Sequence, residues 1–107
     1  MDKKEYETIR VFDGDKFPVW RFHMELCFKE KVVLLVANGT TPKPGDNAPE
    51  AEKLAWEKAD TIAQRMINSS VSLPILENLV NCTSAATMWS TLCSLYQQKS
   101  KENVYMV

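Results

Sequence analysis

His23 is the only histidine in the chain, and Cys27, Cys82 and Cys93 are the three cysteines. A histidine beside a thiol can activate a cysteine nucleophile, and imidazole and thiolate are both metal ligands. The pattern around them argues for neither role. With one imidazole a multi-histidine metal centre is impossible, and the cysteines share no C-x-x-C spacing, so zinc-knuckle and redox-dithiol readings fall away. Each cysteine sits among apolar neighbours, which predicts small buried side chains of unremarkable reactivity. His23 falls at the margin of an apolar helix face and reads as a boundary side chain. Glu50, Glu52, Glu57 and Asp60, with Lys53 and Lys58, decorate one helix and read as its solvated face, paired as Glu50–Lys53 and Lys53–Glu57. No carboxylate pair stands in an apolar setting that would tune it for acid–base work. The segment from Gly39 to Gly45 holds glycines and Lys43 but lacks the spacing of a phosphate-binding loop. The expectation is a protein with no catalytic residues, no metal and no cofactor.

The aromatic residues say more. Trp20, Trp56 and Trp89 fall in three different helical segments. They could stack bases or anchor a core. With 13 Lys+Arg against 14 Asp+Glu, a formal charge of −1, the core reading is favoured, because nucleic-acid binding rests on neutralising phosphates. Trp56 lies about one residue's rotation off the stripe Leu54–Ala55–Ala59–Ile62, which aims it at a neighbouring element or a partner.

The elements that must position these residues follow from periodicity and breakers. At 107 residues, 45% hydrophobic and 25% charged, the chain is one globular domain able to bury a core without disulfides. No apolar run approaches the roughly 20 residues of a membrane span, so no membrane partner is expected. The polar start Met1–Glu7 does not resemble a secretory signal, which points to a cytosolic or nuclear compartment and leaves the N-x-[ST] sequons at Asn38, Asn68 and Asn81 as chance matches. Residues 1–16 read as an N-terminal arm, with a short extended stretch ending at Phe12 and a turn at Asp13-Gly14-Asp15. Residues 17–107 read as the helical domain.

Its first helix, from about Pro18 to Glu30, is apolar on two sides. Phe17, Trp20, Met24, Cys27 and Phe28 form one face; Val19, Phe22 and Leu26 form the other. Such a helix is either sandwiched or covers a partner. Lys31–Ala37 can be helix or strand. Asn38–Pro49 is a loop holding two of the three glycines and three of the five prolines. Asn47 can cap the next helix, with Glu50 completing a capping box, and its predicted stripe is Ala51, Leu54, Ala55, Ala59, Ile62 and Met66. Ser69-Ser70 ends it. Ser72 can cap a short helix that tolerates Pro74 in its first turn. Thr83 can cap another, running from Ser84 to about Gln98, with Ala85, Met88, Trp89, Leu92, Leu95 and Tyr96 as its stripe. Ser100 then begins an element that the sequence does not finish, which suggests that the polypeptide continues.

Read in order, the motifs resemble one family. Phe12-Asp13-Gly14-Asp15-Lys16-Phe17-Pro18-Val19-Trp20 resembles the F-x-G-x-x-[FY]-x-x-W opening of Gag polyproteins from copia-type LTR retrotransposons. Arg21-Phe22-His23-Met24-Glu25-Leu26 is similar to the helix that follows. Trp56, Asp60 and Ile62 resemble its tryptophan–aspartate helix. Thr83 to Leu92, with Trp89 at its centre, resembles T-A-x-x-x-W-x-x-L, and Tyr96-Gln97-Gln98-Lys99-Ser100 resembles Y-x-x-K-S. The resemblance implies an all-α, compact bundle of about five to six helices, similar to a retroviral capsid N-terminal domain, with an extended N-terminal arm. Phe12, Gly14, Phe17, Trp20, Trp89, Leu92 and Tyr96 would be its motif core.

The implied function is structural: self-assembly, in the cytoplasm, into virus-like particles around the element's RNA. The partner would be further copies of the chain, met through weak contacts. RNA would be packaged by the full-length protein and not bound tightly by this domain, which lacks a zinc knuckle. Val19, Phe22, Leu26 and Trp56 are the candidate assembly contacts. Two alternatives compete with this reading. One is a domesticated or truncated Gag fragment acting as an interaction module or as an inhibitor of assembly. The other is a small enzyme built on a cysteine and His23, which requires the two to meet in a pocket.

Overall fold

The computed structural model describes residues 11–97. They form five α-helices and a closing π-helical turn: α1 Phe17–Glu30, α2 Leu34–Ala37, α3 Glu50–Asn68, α4 Leu73–Glu77 and α5 Ala85–Leu92, continued by the π turn Cys93–Gln97. The all-α expectation holds. The segment left open between helix and strand is the helix α2, only four residues long, yet it touches α1, α3 and α5. Its buried Ala37, with buried Val33 just ahead of it, lets these neighbours approach closely.

Residues 11–16, assigned to the arm by sequence, pack onto the domain. Phe12 pairs with Val71 in an isolated parallel bridge. Its N–H donates to the Ser70 carbonyl at 2.8 Å, and its own carbonyl accepts from Ser72 N–H at 2.8 Å. The turn expected at Asp13–Asp15 is present. Gly14 takes φ 109°, and the Asp13 carboxylate accepts from Asp15 N–H. The rest of the arm and the element expected after Ser100 lie outside the described residues.

Several details differ from the sequence reading. Helix α3 is capped by Pro49, and Asn47 forms no capping box. The turn closed by Ala48 N–H on the Gly45 carbonyl and the fixed φ of Pro49 leave Asn47 upstream of the first helical turn. Ser72 does sit at the α4 N-cap, but its side chain makes no capping bond; its backbone N–H is held by Phe12. The last cap shifts by one: Ser84, not Thr83, accepts from Thr87 N–H. The buried line of α3 is also displaced. Asp60, Ala63 and Ile67 are buried and Ala59, Ile62 and Met66 half-buried, while Ala51, Leu54 and Ala55 are exposed. The first turns of α3 run beside the 38–49 loop, so apolar residues there have no core to enter.

The α1–α2 joint is a Schellman motif. Val33 N–H donates to the Phe28 carbonyl at 2.9 Å and Val32 N–H to the Lys29 carbonyl at 3.0 Å, with Phe28 and Val33 both buried. The residue in the left-handed position is Val32, at φ 60° and 85% exposed. A β-branched side chain is strained there, where glycine is usual. Val32→Gly should therefore raise stability by about 0.5–1 kcal/mol, the relief of strain exceeding the added unfolded-state entropy. Urea denaturation checks this; an unchanged or lowered midpoint would contradict it.

Candidate functional site

The inner face of α1 is committed to an aromatic cluster. Phe12 stacks on Trp20 at 5.2 Å between centroids and meets Phe17 edge-on at 5.4 Å and Tyr96 at 5.0 Å. Trp20 continues to Trp89 at 5.6 Å, and Trp89 meets Phe28 edge-on at 5.2 Å. Each such pair contributes about 0.5–1.5 kcal/mol beyond the apolar area it buries. The structure thus brings together six of the residues singled out by sequence. Phe12, Phe17, Trp20, Trp89 and Leu92 are buried, and Tyr96 packs against them half-buried. The seventh, Gly14, belongs to the same assembly: a Cβ on it would lie 3.8 Å from the Tyr96 ring. Trp20 Nε1 is buried with no acceptor among the described residues, so Trp20 contributes through its ring.

The outer face of α1 is open. Val19 and Phe22 are each 64% exposed and Leu26 is 49% exposed, one helical turn apart along one stripe. No described element covers them. Beside this stripe Arg21 pairs with Glu25 at 3.2 Å and donates to the Gln97 side chain on the π turn, tying the flank of α1 to the end of α5. At its N-terminal end the stripe runs into a cleft of about 340 Å³ lined by Val11, Phe12, Asp13, Asp15, Lys16, Val19, Trp20 and His23.

His23 and Cys27 do meet, but on this surface. His23 Nε2 lies 3.6 Å from Cys27 Sγ across one turn of α1. His23 lines the cleft and Cys27 does not. Burial raises the Cys27 thiol above its ordinary range, and the nearby Glu30 carboxylate raises it further. That holds it as a thiol, the opposite of what nucleophilic catalysis needs. Cys93 is raised likewise, chiefly by burial, with Arg21 opposing and Glu25 adding to the effect.

Trp56, the fourth contact candidate, faces the loop. Its Nε1 donates to the Thr41 carbonyl at 3.0 Å, and its half-buried ring lines a groove with Val36, Pro42, Asp60 and Ala86. Thr41 N–H reaches the Leu35 carbonyl at 2.9 Å and Asn38 Oδ1 accepts from Thr40 N–H. The loop is thereby fastened at both edges of the groove.

The residue that sequence reasoning misplaced is Asp60. It was assigned to the solvated face of α3 and is in fact 4% exposed. Its Oδ1 accepts from Ala85 N–H, the first residue of α5, at 2.8 Å, and its Oδ2 accepts from Gln64 Nε2 at 2.7 Å. With Ser84 serving Thr87, two of the free N–H groups opening α5 are satisfied, one of them by a carboxylate at the positive end of the helix dipole. The available signal was its position four residues after Trp56, in a motif already recognised.

Residues 24–107 match the family described as the gag-polypeptide of LTR copia-type. The chain belongs to that family. The matched span takes in Trp56, Asp60, Trp89, Leu92 and Tyr96, and it begins inside α1. Phe12, Phe17 and Trp20 lie before the match, and the aromatic cluster joins them to it. No solved structure matches the chain. This Gag chain is accordingly a structural, non-enzymatic kind of protein, and among its described residues no helix is long and apolar enough to cross a membrane. Because Asp60 holds α5 in place, Asp60→Ala should cost about 1–3 kcal/mol by stranding Ala85 N–H. Asp60→Asn, which keeps an acceptor, should cost less than half of that. Denaturant midpoints of the two variants decide the point; equal losses, or none, would contradict the role assigned to the carboxylate.

Proposed function

We propose that this Gag chain is a capsid-type building block that associates with further copies of itself through the outer face of α1. One observation carries the reading: a helix whose inner face is fully spent on the core presents Val19, Phe22 and Leu26 to solvent in a single stripe. Apolar residues scattered singly on a surface need no explanation, but a contiguous stripe points to a contact. Family membership supports a structural role for such a contact, since Gag chains are structural proteins. Particle formation around the element's RNA follows from the same reading, with the full-length protein supplying RNA contacts that a chain of formal charge −1 is poorly suited to make.

The physics favours weak individual contacts. A stripe of three side chains buries too little area for a tight dimer. Many copies held on one lattice turn such contacts into a stable shell through effective concentration. The chain should therefore show reversible, concentration-dependent association in sedimentation velocity. Phe22→Ser should abolish that association while leaving the helical circular-dichroism signal and the denaturation midpoint nearly unchanged, because Phe22 supports no core contact. A protein that stays monomeric at its solubility limit, or a Phe22→Ser variant that associates like the parent, would sink the proposal.

A further inference from the structure

Exposed His23 and half-buried Cys27 stand on α1 beside the stripe of Val19, Phe22 and Leu26, between it and the core face, and their separation fits a metal ion. In a tetrahedral zinc site with Zn–S of about 2.3 Å and Zn–N of about 2.0 Å, the N···S edge is about 3.5 Å. The observed Nε2···Sγ distance is 3.6 Å, with both atoms one helical turn apart on one side of α1. The i, i+4 spacing is the one by which a helix offers two ligands to a single ion. An imidazole and a thiolate together suit Zn²⁺ over the harder divalent ions.

One copy supplies only half a site. Among the described residues no group of three or more His, Cys, Asp or Glu side chains converges to hold a metal. We propose that His23 and Cys27 form half of a tetrahedral Zn²⁺ site, completed by the same pair from a second copy. A two-fold contact is self-complementary, so it delivers the second pair without any further design. If the two α1 helices cross antiparallel at the midpoint of His23 and Cys27, each histidine lies against the other copy's cysteine. Phe22 and Leu26 then flank the ion and exclude water from it. Two thiolates neutralise the charge of Zn²⁺, so the completed site can be buried in an apolar contact. Each ion bound releases two protons from the two thiols, with no change of oxidation state. The inference rests on the assembly reading, since it uses the edge of the same face, and it adds a metal to it.

The test uses the protein stripped with EDTA and kept in a non-thiol reductant, titrated with Zn²⁺ or with Co²⁺ as a spectroscopic probe. Co²⁺ should bind at one ion per two chains, with a thiolate-to-cobalt charge-transfer band and the strong ligand-field bands of a tetrahedral site. Sedimentation should show Zn²⁺ tightening dimerisation by about ten-fold or more. His23→Ala and Cys27→Ser should each lose both effects, while Cys93→Ser keeps them. Binding at one ion per chain with no change of mass would overturn the shared site, as would binding that survives in His23→Ala and Cys27→Ser. Association that is equal in EDTA and in Zn²⁺ would overturn the metal and leave the assembly reading standing. A chain that is monomeric with and without the ion would overturn both. A dimer abolished by the reductant alone would mark a disulfide through one of the three half-buried cysteines and also overturn the zinc site.

Discussion

A 14-residue helix that is apolar on two sides can bury only one of them in a small domain, and that constraint shapes the rest of this molecule. The choice is made by ring packing. Phe17, Trp20 and Phe28 on α1 enter a chain of aromatic contacts with Phe12, Trp89 and Tyr96, drawn from both ends of the described chain. The first of those residues is itself clamped by backbone bonds to Ser70 and Ser72. Once these rings are packed, Val19, Phe22 and Leu26 must point away from the core. The open stripe is thus a consequence of how the core closes.

Around that cluster the fold solves two polar problems with few residues. Helix α5 begins at a buried residue, Ala85, whose N–H is shut away from water. Asp60 reaches across from α3 to meet it, and Gln64 completes the bonding of the carboxylate. The loop between α2 and α3 carries its own backbone polar groups over the groove, and the Trp56 indole holds it there. Both devices stand on α3, on the line 56–60, so α3 acts as a strut for the loop and for α5. The side chains of α1 are left free for packing inward and for contact outward.

Most of the fold was legible in the sequence because the longer helices have clear periods and clear breakers. The two faces of α1 could be listed residue by residue, and the loop was marked by its glycines and prolines. Periodicity alone could not say which of the two apolar faces goes inside, since both satisfy the same period; the family motif is what placed Phe17 and Trp20 in the core and left Val19, Phe22 and Leu26 as contacts. Asp60 was misread for a related reason. On a helical wheel it is a charged residue among other charged residues, and only the long-range position of Ala85 makes it a buried acceptor. Two caps shifted by one or two residues, to Ser84 and to Pro49, whose fixed φ overrode the preference for Asn47, while Ser72 kept its position but gave its backbone N–H to Phe12 and made no side-chain cap. The meeting of His23 with Cys27 was within reach of the spacing alone.

One face of α1 holds the domain together, and the other is proposed to meet a copy. A dilution series followed by NMR tests it most directly, with backbone amide and methyl signals recorded from low to high concentration. Signals of Val19, Phe22 and Leu26 should shift with concentration while those of Trp20, Met24 and Phe28 stay fixed. Shifts that spare the outer stripe, or that appear equally on both faces of α1, would contradict the proposal.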